Sequence, residues 1–161
     1  MKKPHWLALA GTCFLLDVAT KWWVAARLPI HQEIPVIPGF FSITPITNNG
    51  IAFSLFAGPD STWRTVLLTA AAVVSLAYIA WLVWREPRLD GLLGTGLGMV
   101  SGGILGNSLN RLLTGSVVDF LDFHYGHLAW PTFNLADTFI SVGASLIVLR
   151  LLWPQKDKPC P

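Results

Sequence analysis

Charged residues are scarce in this sequence of 161 residues. Only 12% are Asp, Glu, Lys or Arg, whereas a soluble domain typically carries about 25%. A net charge of +2 without a basic stripe gives no indication of a nucleic-acid partner. Hydrophobic residues make up 53% of the chain and the mean hydropathy is +0.55. This composition indicates an integral membrane protein.

Cysteine is also rare. Cys13 falls inside an apolar segment and Cys160 lies in the C-terminal tail, so neither a disulfide framework nor zinc-ligand spacing is present. We expect no metal and no other cofactor. Because no internal repeat or low-complexity stretch divides the chain, residues 1–161 are predicted to form a single membrane domain.

Four segments are apolar enough to span a bilayer. Each approaches the ~20 residues that a helix needs to cross about 30 Å of hydrocarbon, and each is too continuous for a barrel strand. The first also resembles a secretory signal peptide, but Asp17 and Lys21 interrupt the expected cleavage region, which favours a retained helix. We predict an all-α integral membrane protein with four transmembrane helices, at about 6–24, 63–84, 92–113 and 135–153.

The basic residues indicate the orientation of these helices. Seven of the eleven basic residues lie at the helix ends on the same side of the membrane as the two chain termini. The other four lie at or inside the helix ends on the opposite side. The positive-inside rule therefore places both termini in the cytoplasm. Tryptophans at both sets of ends agree with two interfacial aromatic belts.

The two connections on the outer side, residues 28–61 and 114–134, carry most of the remaining polar residues. Asn49-Gly50 between β-prone residues is a strong hairpin signal, which predicts a small extracytoplasmic sheet from about Phe40 to Ser54. The second connection is expected to be a loop that carries Asp119 and Asp122. Any functional site should therefore face outward.

Polar residues within the spans each require an explanation. Asp17 and Lys21 are four residues apart on one helix face, which favours a structural ion pair. The third helix has glycines at every fourth position from 94 to 106, a spacing that allows close helix packing or could form the wall of a site. Asn107 and Arg111 follow at its outer end. Asn134 is a good N-cap for the fourth helix, which puts Asp137 in the first turn.

Asp119 and Asp137 could meet at the outer membrane boundary if the second connection folds back onto the fourth helix. Two carboxyl groups in contact do not both ionise easily, so that one retains a proton near neutral pH. Such a pair can activate water for peptide hydrolysis. On spacing alone, Asp122 could take the place of Asp119.

Several ordered blocks resemble lipoprotein signal peptidase, also called signal peptidase II. They cover about three-quarters of the chain and comprise Asp17–Lys21, Asn48–Ser54, Gly102–Asn107 with Arg111, Gly115–Phe123 and Phe133–Asp137. The resemblance implies an intramembrane aspartyl endopeptidase of the bacterial inner membrane, with its active site facing the periplasm. It would remove the signal peptide of diacylglyceryl-modified prolipoproteins by cutting before the lipidated cysteine.

The resemblance also implies roles for particular residues. The catalytic aspartates correspond to Asp119 and Asp137. The substrate-binding or supporting positions correspond to Asp17, Lys21, Asn48, Gly103, Asn107, Arg111, Asn134 and Ala136. We further expect a monomer that contacts membrane lipid. We also expect inhibition by globomycin-type cyclic peptides.

One position departs from the family pattern, and two other functions compete. Asn110 stands where the family usually has an aspartate beside the arginine, here Arg111. Because that acid is lost, a second interpretation stays open, namely a non-enzymatic membrane protein with the same fold. His124 and His127, with a nearby aspartate, leave open a metal-dependent hydrolase, although His-x-x-His in a loop is a weak signal.

Overall fold

The computed structural model describes residues 3–48, 62–86 and 90–153. All four apolar segments are helical, and strands lie in the connections between α1 and α2 and between α3 and α4. The elements in chain order are α1 (Lys3–Arg27), β1 (Ile34–Ile37), β2 (Phe41–Asn48), α2 (Thr62–Arg85), α3 (Gly91–Thr114), β3 (Val117–Tyr125), β4 (Leu128–Ala129) and α4 (Leu135–Leu152).

Three stretches of helix in the described residues are long and apolar enough to cross a membrane: His5–Arg27, Thr65–Arg85 and Leu135–Leu152. α3 has 24 residues, or about 36 Å at 1.5 Å per residue, but it is not in this set. Its glycines and the polar residues towards its C-terminal end, such as Asn107 and Arg111, make it less apolar. Much of α3 is instead buried against the other helices.

Glycines on α3 allow two neighbouring helices to approach its backbone. A Cβ added at Gly102 would lie 2.6 Å from the Ala10 carbonyl oxygen on α1, and one at Gly103 would lie 2.5 Å from the Ala136 carbonyl oxygen on α4. α4 contributes Gly143, where an added Cβ would lie 2.7 Å from the Gly96 oxygen. The glycine spacing is therefore used for packing between α1, α3 and α4.

α2 packs on α3 through a small apolar cluster of Ile79, Val83 and Leu97. Much of its remaining surface is apolar and exposed, including Val66, Val74 and Tyr78. An apolar surface of this extent is unusual for a protein in water. Hydrocarbon is the solvent that suits it.

The sheet is antiparallel, with the strand order β1-β2-β3-β4. β2 pairs with β3 from Phe41 opposite Phe123 to Asn48 opposite Val117. A sheet was predicted, and β2 lies within its predicted range. The loop prediction for residues 114–134 was wrong, because Val117–Tyr125 form the strand β3, which pairs with β2. The predicted Asn49-Gly50 turn lies outside the described residues.

A backbone bridge holds the end of the second connection against β3. The amides of Phe120 and Leu121 donate to the Phe133 carbonyl oxygen at 3.0 and 2.8 Å, and the Phe133 amide donates to the Leu121 oxygen at 3.1 Å. The chain therefore folds back before α4 begins. This brings Asn134 beside β3.

We expect Gly102→Ala to lower the free energy of unfolding by about 1–3 kcal/mol, because backbone of α1 occupies the space that its Cβ would need. Gly11→Ala is the matched control, since a Cβ there meets nothing within 4 Å. That control should be neutral or stabilising by about 0.5–1 kcal/mol. Thermal unfolding in mild detergent measures both, and equal losses would contradict the close-packing interpretation.

Candidate active site

A buried ion pair lies near the C-terminal end of α1. The Lys21 ammonium donates to Asp17 Oδ2 at 2.8 Å, one turn away on α1. Asp17 is fully buried and Lys21 is 4% exposed. The structural ion pair predicted from their spacing is confirmed.

This pair also joins α1 to α3 and α4. Lys21 Nζ donates to Asn107 Oδ1 on α3 at 2.7 Å. The backbone amide of Ala136 in the first turn of α4 donates to Asp17 Oδ1 at 2.8 Å. Gly106 leaves the space for this carboxylate, because a Cβ there would clash with Asp17. The pair thus links the three helices at one level.

A capping box begins α4. Asn134 Oδ1 accepts from the backbone N–H of Asp137 at 3.1 Å, and the backbone N–H of Asn134 donates to Asp137 Oδ2 at 3.3 Å. The predictions that Asn134 is the N-cap and that Asp137 lies in the first turn are confirmed. These reciprocal bonds fix the Asp137 side chain relative to the helix end.

Side-chain amides donate to both carboxyl groups. Asp119 accepts from Asn134 Nδ2 at 2.6 Å and from Asn48 Nδ2 at 2.8 Å, one bond to each oxygen. Asp137 Oδ1 accepts from Asn107 Nδ2 at 2.8 Å. Four structural elements therefore converge on the two acids: β2, α3, β3 and the start of α4.

Burial raises the pKa of the Asp119 carboxyl to about 6. The amide of Asn48 opposes this rise, the charge of Asp137 adds to it, and the amide of Asn134 and the charge of Lys21 oppose it. The influence of Asp137 means that the two acids interact electrostatically. A carboxyl with its pKa in this range can exchange a proton near neutral pH.

Both acids open onto one cleft of about 560 Å³. Arg111 also lines it and interacts electrostatically with Asp137 and Asp119. The remaining walls are mostly apolar or weakly polar. They comprise Asn48, Asn107, Val117, Trp130, Pro131, Thr132, Phe133, Thr138, Ile140, Ser141 and Val142.

All ten site residues expected from the sequence lie in or directly behind this cleft. Five of them line it: Asn48, Asn107, Arg111, Asp119 and Asp137. The other five lie in the layer behind, joined by hydrogen bonds or close packing: Asp17, Lys21, Gly103, Asn134 and Ala136.

Asp122, the alternative to Asp119, does not line the cleft. Its carboxylate accepts from Thr44 Oγ1 at 3.2 Å and lies 3.9 Å from His124 Nδ1. Because strand residues alternate between the two faces, Asp119 and Asp122 point to opposite sides of β3. The choice between them follows from that alternation once β3 is recognised as a strand.

Sequence reasoning missed part of the wall on α4. Thr138 and Ser141 line the cleft beside Asp137. Ser141 is four residues after Asp137, hence on the same helix face, and that spacing could have identified it. The contact of Phe133 with β3 had no comparable signal in the sequence.

Asn110, the departure from the family pattern, has a defined structural partner. Its side-chain oxygen accepts from the Val118 amide at 2.8 Å, at the start of β3. An aspartate could accept the same bond. Among the described residues, the negative charges of Asp137 and Asp119 act on the neighbouring Arg111.

Comparisons with known proteins find the same family over almost the whole chain. Residues 9–153 match the family described as Signal peptidase (SPase) II. The lipoprotein signal peptidase of Syntrophus aciditrophicus (strain SB) is 39% identical over 160 residues, which cover 98% of this chain and 99% of that protein. That of Solibacter usitatus (strain Ellin6076) is 39% identical over 159 residues, with coverage of 98% and 97%.

Two solved structures, both described as bacterial membrane enzymes, share the fold. The first has a TM-score of 0.86 at 27% identity and covers 99% of this chain and 96% of its own. The second has a TM-score of 0.80 at 28% identity, with coverage of 97% and 96%.

The membrane-length helices and the acidic cleft define an integral membrane enzyme with its polar site at one end of the helices. The chain belongs to the signal peptidase II family, as the motif blocks indicated, and is therefore a membrane protease.

The raised pKa of Asp119 predicts a pH-dependent stability. Because the folded value of about 6 lies above the ordinary 3.8, the stabilising effect of this proton is fully present below about pH 3.8. It is lost as the pH rises through 6. Relative to Asp119→Asn, which cannot titrate, the wild type should lose about 3 kcal/mol across this range. Thermal unfolding at pH 3.5–7.5 measures the difference, and parallel curves would contradict it.

The Asn110 contact predicts which substitutions are tolerated. Asn110→Asp keeps an acceptor for the Val118 amide and should change the free energy of unfolding by less than about 0.5 kcal/mol. Asn110→Leu leaves that amide without this partner and should cost about 1–3 kcal/mol. Thermal unfolding of both variants tests this, and similar losses would show that the hydrogen bond is unimportant.

Proposed function

We propose that this chain is an aspartyl endopeptidase that removes the signal peptide from diacylglyceryl-modified prolipoproteins, cutting immediately before the lipidated cysteine. The single observation that carries the proposal is the pair of interacting carboxyl groups, Asp119 and Asp137, on one cleft. The names of the relatives, lipoprotein signal peptidases, support the substrate class.

In the proposed reaction the two acids share one proton. The ionised carboxylate takes a proton from water, and the oxygen of that water attacks the scissile carbonyl, which the protonated acid polarises. The resulting tetrahedral intermediate then breaks its C–N bond, and a carboxyl proton passes to the leaving amine. No covalent bond forms between enzyme and substrate, and one water molecule is consumed for each peptide bond cleaved.

The surrounding residues have separate proposed roles. Asn48 and Asn134 hold the Asp119 carboxylate through their amides, and Asn107 holds Asp137. Arg111, which lines the cleft, would donate to the substrate backbone or to charge that develops in the intermediate. Trp130 is 62% exposed at the rim and would cover bound substrate.

We further place the protein in the bacterial inner membrane with four transmembrane helices, both termini cytoplasmic and the cleft facing the periplasm. The exclusion of α3 from the most apolar helices agrees with a central span that is shielded from lipid by its neighbours. The cleft continues along α4 to Ile140 and Val142. A substrate could therefore keep its acyl chains in lipid while its scissile bond reaches the acids.

The remaining expectations concern partners and architecture. We propose that one domain acts as a monomer, since the described residues of one chain supply the acids and the amide donors that hold them. Globomycin-type cyclic peptides would inhibit by occupying the same cleft.

The competing metal-dependent reaction would use the histidines of the second connection. His124 lies beside Asp122 on the side of β3 away from Asp119, and His127 is exposed. Among residues 3–48, 62–86 and 90–153, no group of three or more potential ligands comes together. Nothing in this arrangement directs a ligand set towards the cleft.

Asp119→Asn and Asp137→Asn should each lower cleavage of a diacylglyceryl-modified prolipoprotein by at least about a thousandfold, since either change removes the shared-proton pair. Asp122→Asn is the matched control: it makes the same substitution on the same strand, away from the cleft, and should retain cleavage. A gel-shift assay with purified protein in detergent measures all three.

The same assay separates the alternatives. Cleavage by either dyad variant would overturn the proposed mechanism, and loss of wild-type cleavage in chelator would favour the metal-dependent hydrolase. A folded wild type that does not cleave would favour a non-enzymatic role.

A further inference from the structure

The orientation of the Asn107 amide is fixed by the group on its other side. Lys21 Nζ lies 2.7 Å from Asn107 Oδ1, and an ammonium can only donate. The amide must therefore present its oxygen to Lys21 and its NH₂ group to Asp137 Oδ1, 2.8 Å away. With the amide reversed, an NH₂ group would face the ammonium.

Asn134 is held in the same manner. The side-chain oxygen of Asn134 accepts from the backbone N–H of Asp137, which can only donate. The NH₂ group of Asn134 must therefore point the other way. That NH₂ group donates to Asp119 Oδ1 at 2.6 Å and lies 3.2 Å from Asn107 Oδ1. The Asn107 oxygen thus has two donors, and Lys21 is the closer and the charged one.

We propose that Lys21 is a positioning residue for the acid pair: by occupying the carbonyl oxygen of Asn107, it keeps the NH₂ group of Asn107 on Asp137. This inference rests on the proposed function, because the orientation matters only if Asp137 takes part in proton transfer. It gives Lys21 a role beyond the neutralisation of Asp17. Lys21 would act on the reaction from behind the cleft, through one amide.

The proposal has a consequence for the pH dependence of cleavage. Hydrogen-bond donors behind the acid pair favour its singly ionised state, whereas an amide that is free to turn can offer its oxygen and favour the fully protonated state of the pair. The charged groups that act on the pair in the described residues are Asp17 and Lys21 from α1 and Arg111 from α3. Removing Lys21 therefore removes both a positive charge and the hydrogen bond that fixes the orientation of the Asn107 amide.

The alternative is that Lys21 serves only the ion pair. Lys21→Met and Asp17→Asn break that pair equally, but only the first releases Asn107. Asp17→Asn keeps Lys21 and its bond to Asn107, and its one remaining oxygen can serve either the Ala136 amide or the ammonium. A purely structural pair predicts that both variants are destabilised and that neither moves the pH–rate profile.

For Lys21→Met we expect kcat to fall by about ten- to a hundredfold. We also expect the pH–rate profile to move upward by about one pH unit. Asp17→Asn should lose thermal stability, but its profile should not move upward, since removal of a negative charge favours the ionised acids. The profiles are measured with the diacylglyceryl-modified substrate at temperatures where each variant is folded.

The double variant Asp17→Asn/Lys21→Met separates positioning from charge. It removes one charge of each sign, so that the net charge behind the pair is unchanged and no buried charge lacks its partner. If Lys21 acts through Asn107, the double variant keeps the reduced kcat and the upward shift. If Lys21 acts only by its charge, the double variant returns to the wild-type profile.

The outcomes are distinct from those of the proposed function itself. Failure of the wild type to cleave would overturn the proposed function. Wild-type cleavage with unmoved profiles in all variants, or with a wild-type profile in the double variant, would overturn the role of Lys21 alone. Lys21→Arg keeps charge and donor, and under this proposal its profile stays nearer to the wild type than that of Lys21→Met.

Discussion

The structure depends on one buried ion pair, that of Asp17 and Lys21. Burying two charges costs several kcal/mol for each ion, and their mutual attraction offsets this only if the remaining polar atoms are also satisfied. Here the second carboxylate oxygen accepts from Ala136 and the ammonium donates to Asn107. The groups that satisfy the pair thus belong to the two helices that carry the site. The same bonds hold the helix ends in register and fix the asparagine that faces Asp137.

Close helix packing makes this arrangement possible. Side chains at Gly102, Gly103 or Gly106 would meet α1 or α4, including the Asp17 carboxylate itself. The glycines therefore serve the site indirectly, because they set how near α1 and α4 can come to α3. Helices held farther apart could not place a lysine on α1 within 2.7 Å of an asparagine on α3. Polar bonds between helices are short because the backbones are close.

Two opposing effects act on the pKa of Asp119. The carboxyl is 2% exposed, and burial raises its pKa, whereas amides from Asn48 and Asn134 stabilise its ionised form. The result is a group that changes protonation in the range where a general acid or base is useful. An exposed carboxyl would be fully ionised at neutral pH, and a buried one without donors would remain protonated. Asn110 shows a looser constraint, since its contact with Val118 requires an acceptor but no charge.

The sequence by itself determined the helical segments, the Asp17–Lys21 pair, and Asn134 and Asp137 at the start of α4. These features depend on contacts within a few residues, which periodicity and capping rules describe. The ordered motifs also identified the family. Only the tertiary structure decided that β3 pairs with β2 and that Phe133 returns to Leu121, and it gave the physical reason why Asp119, which the motifs indicated, reaches the cleft and Asp122 does not. Those choices depend on strand pairing and burial between segments far apart in the chain, and local sequence carries little information about such pairing.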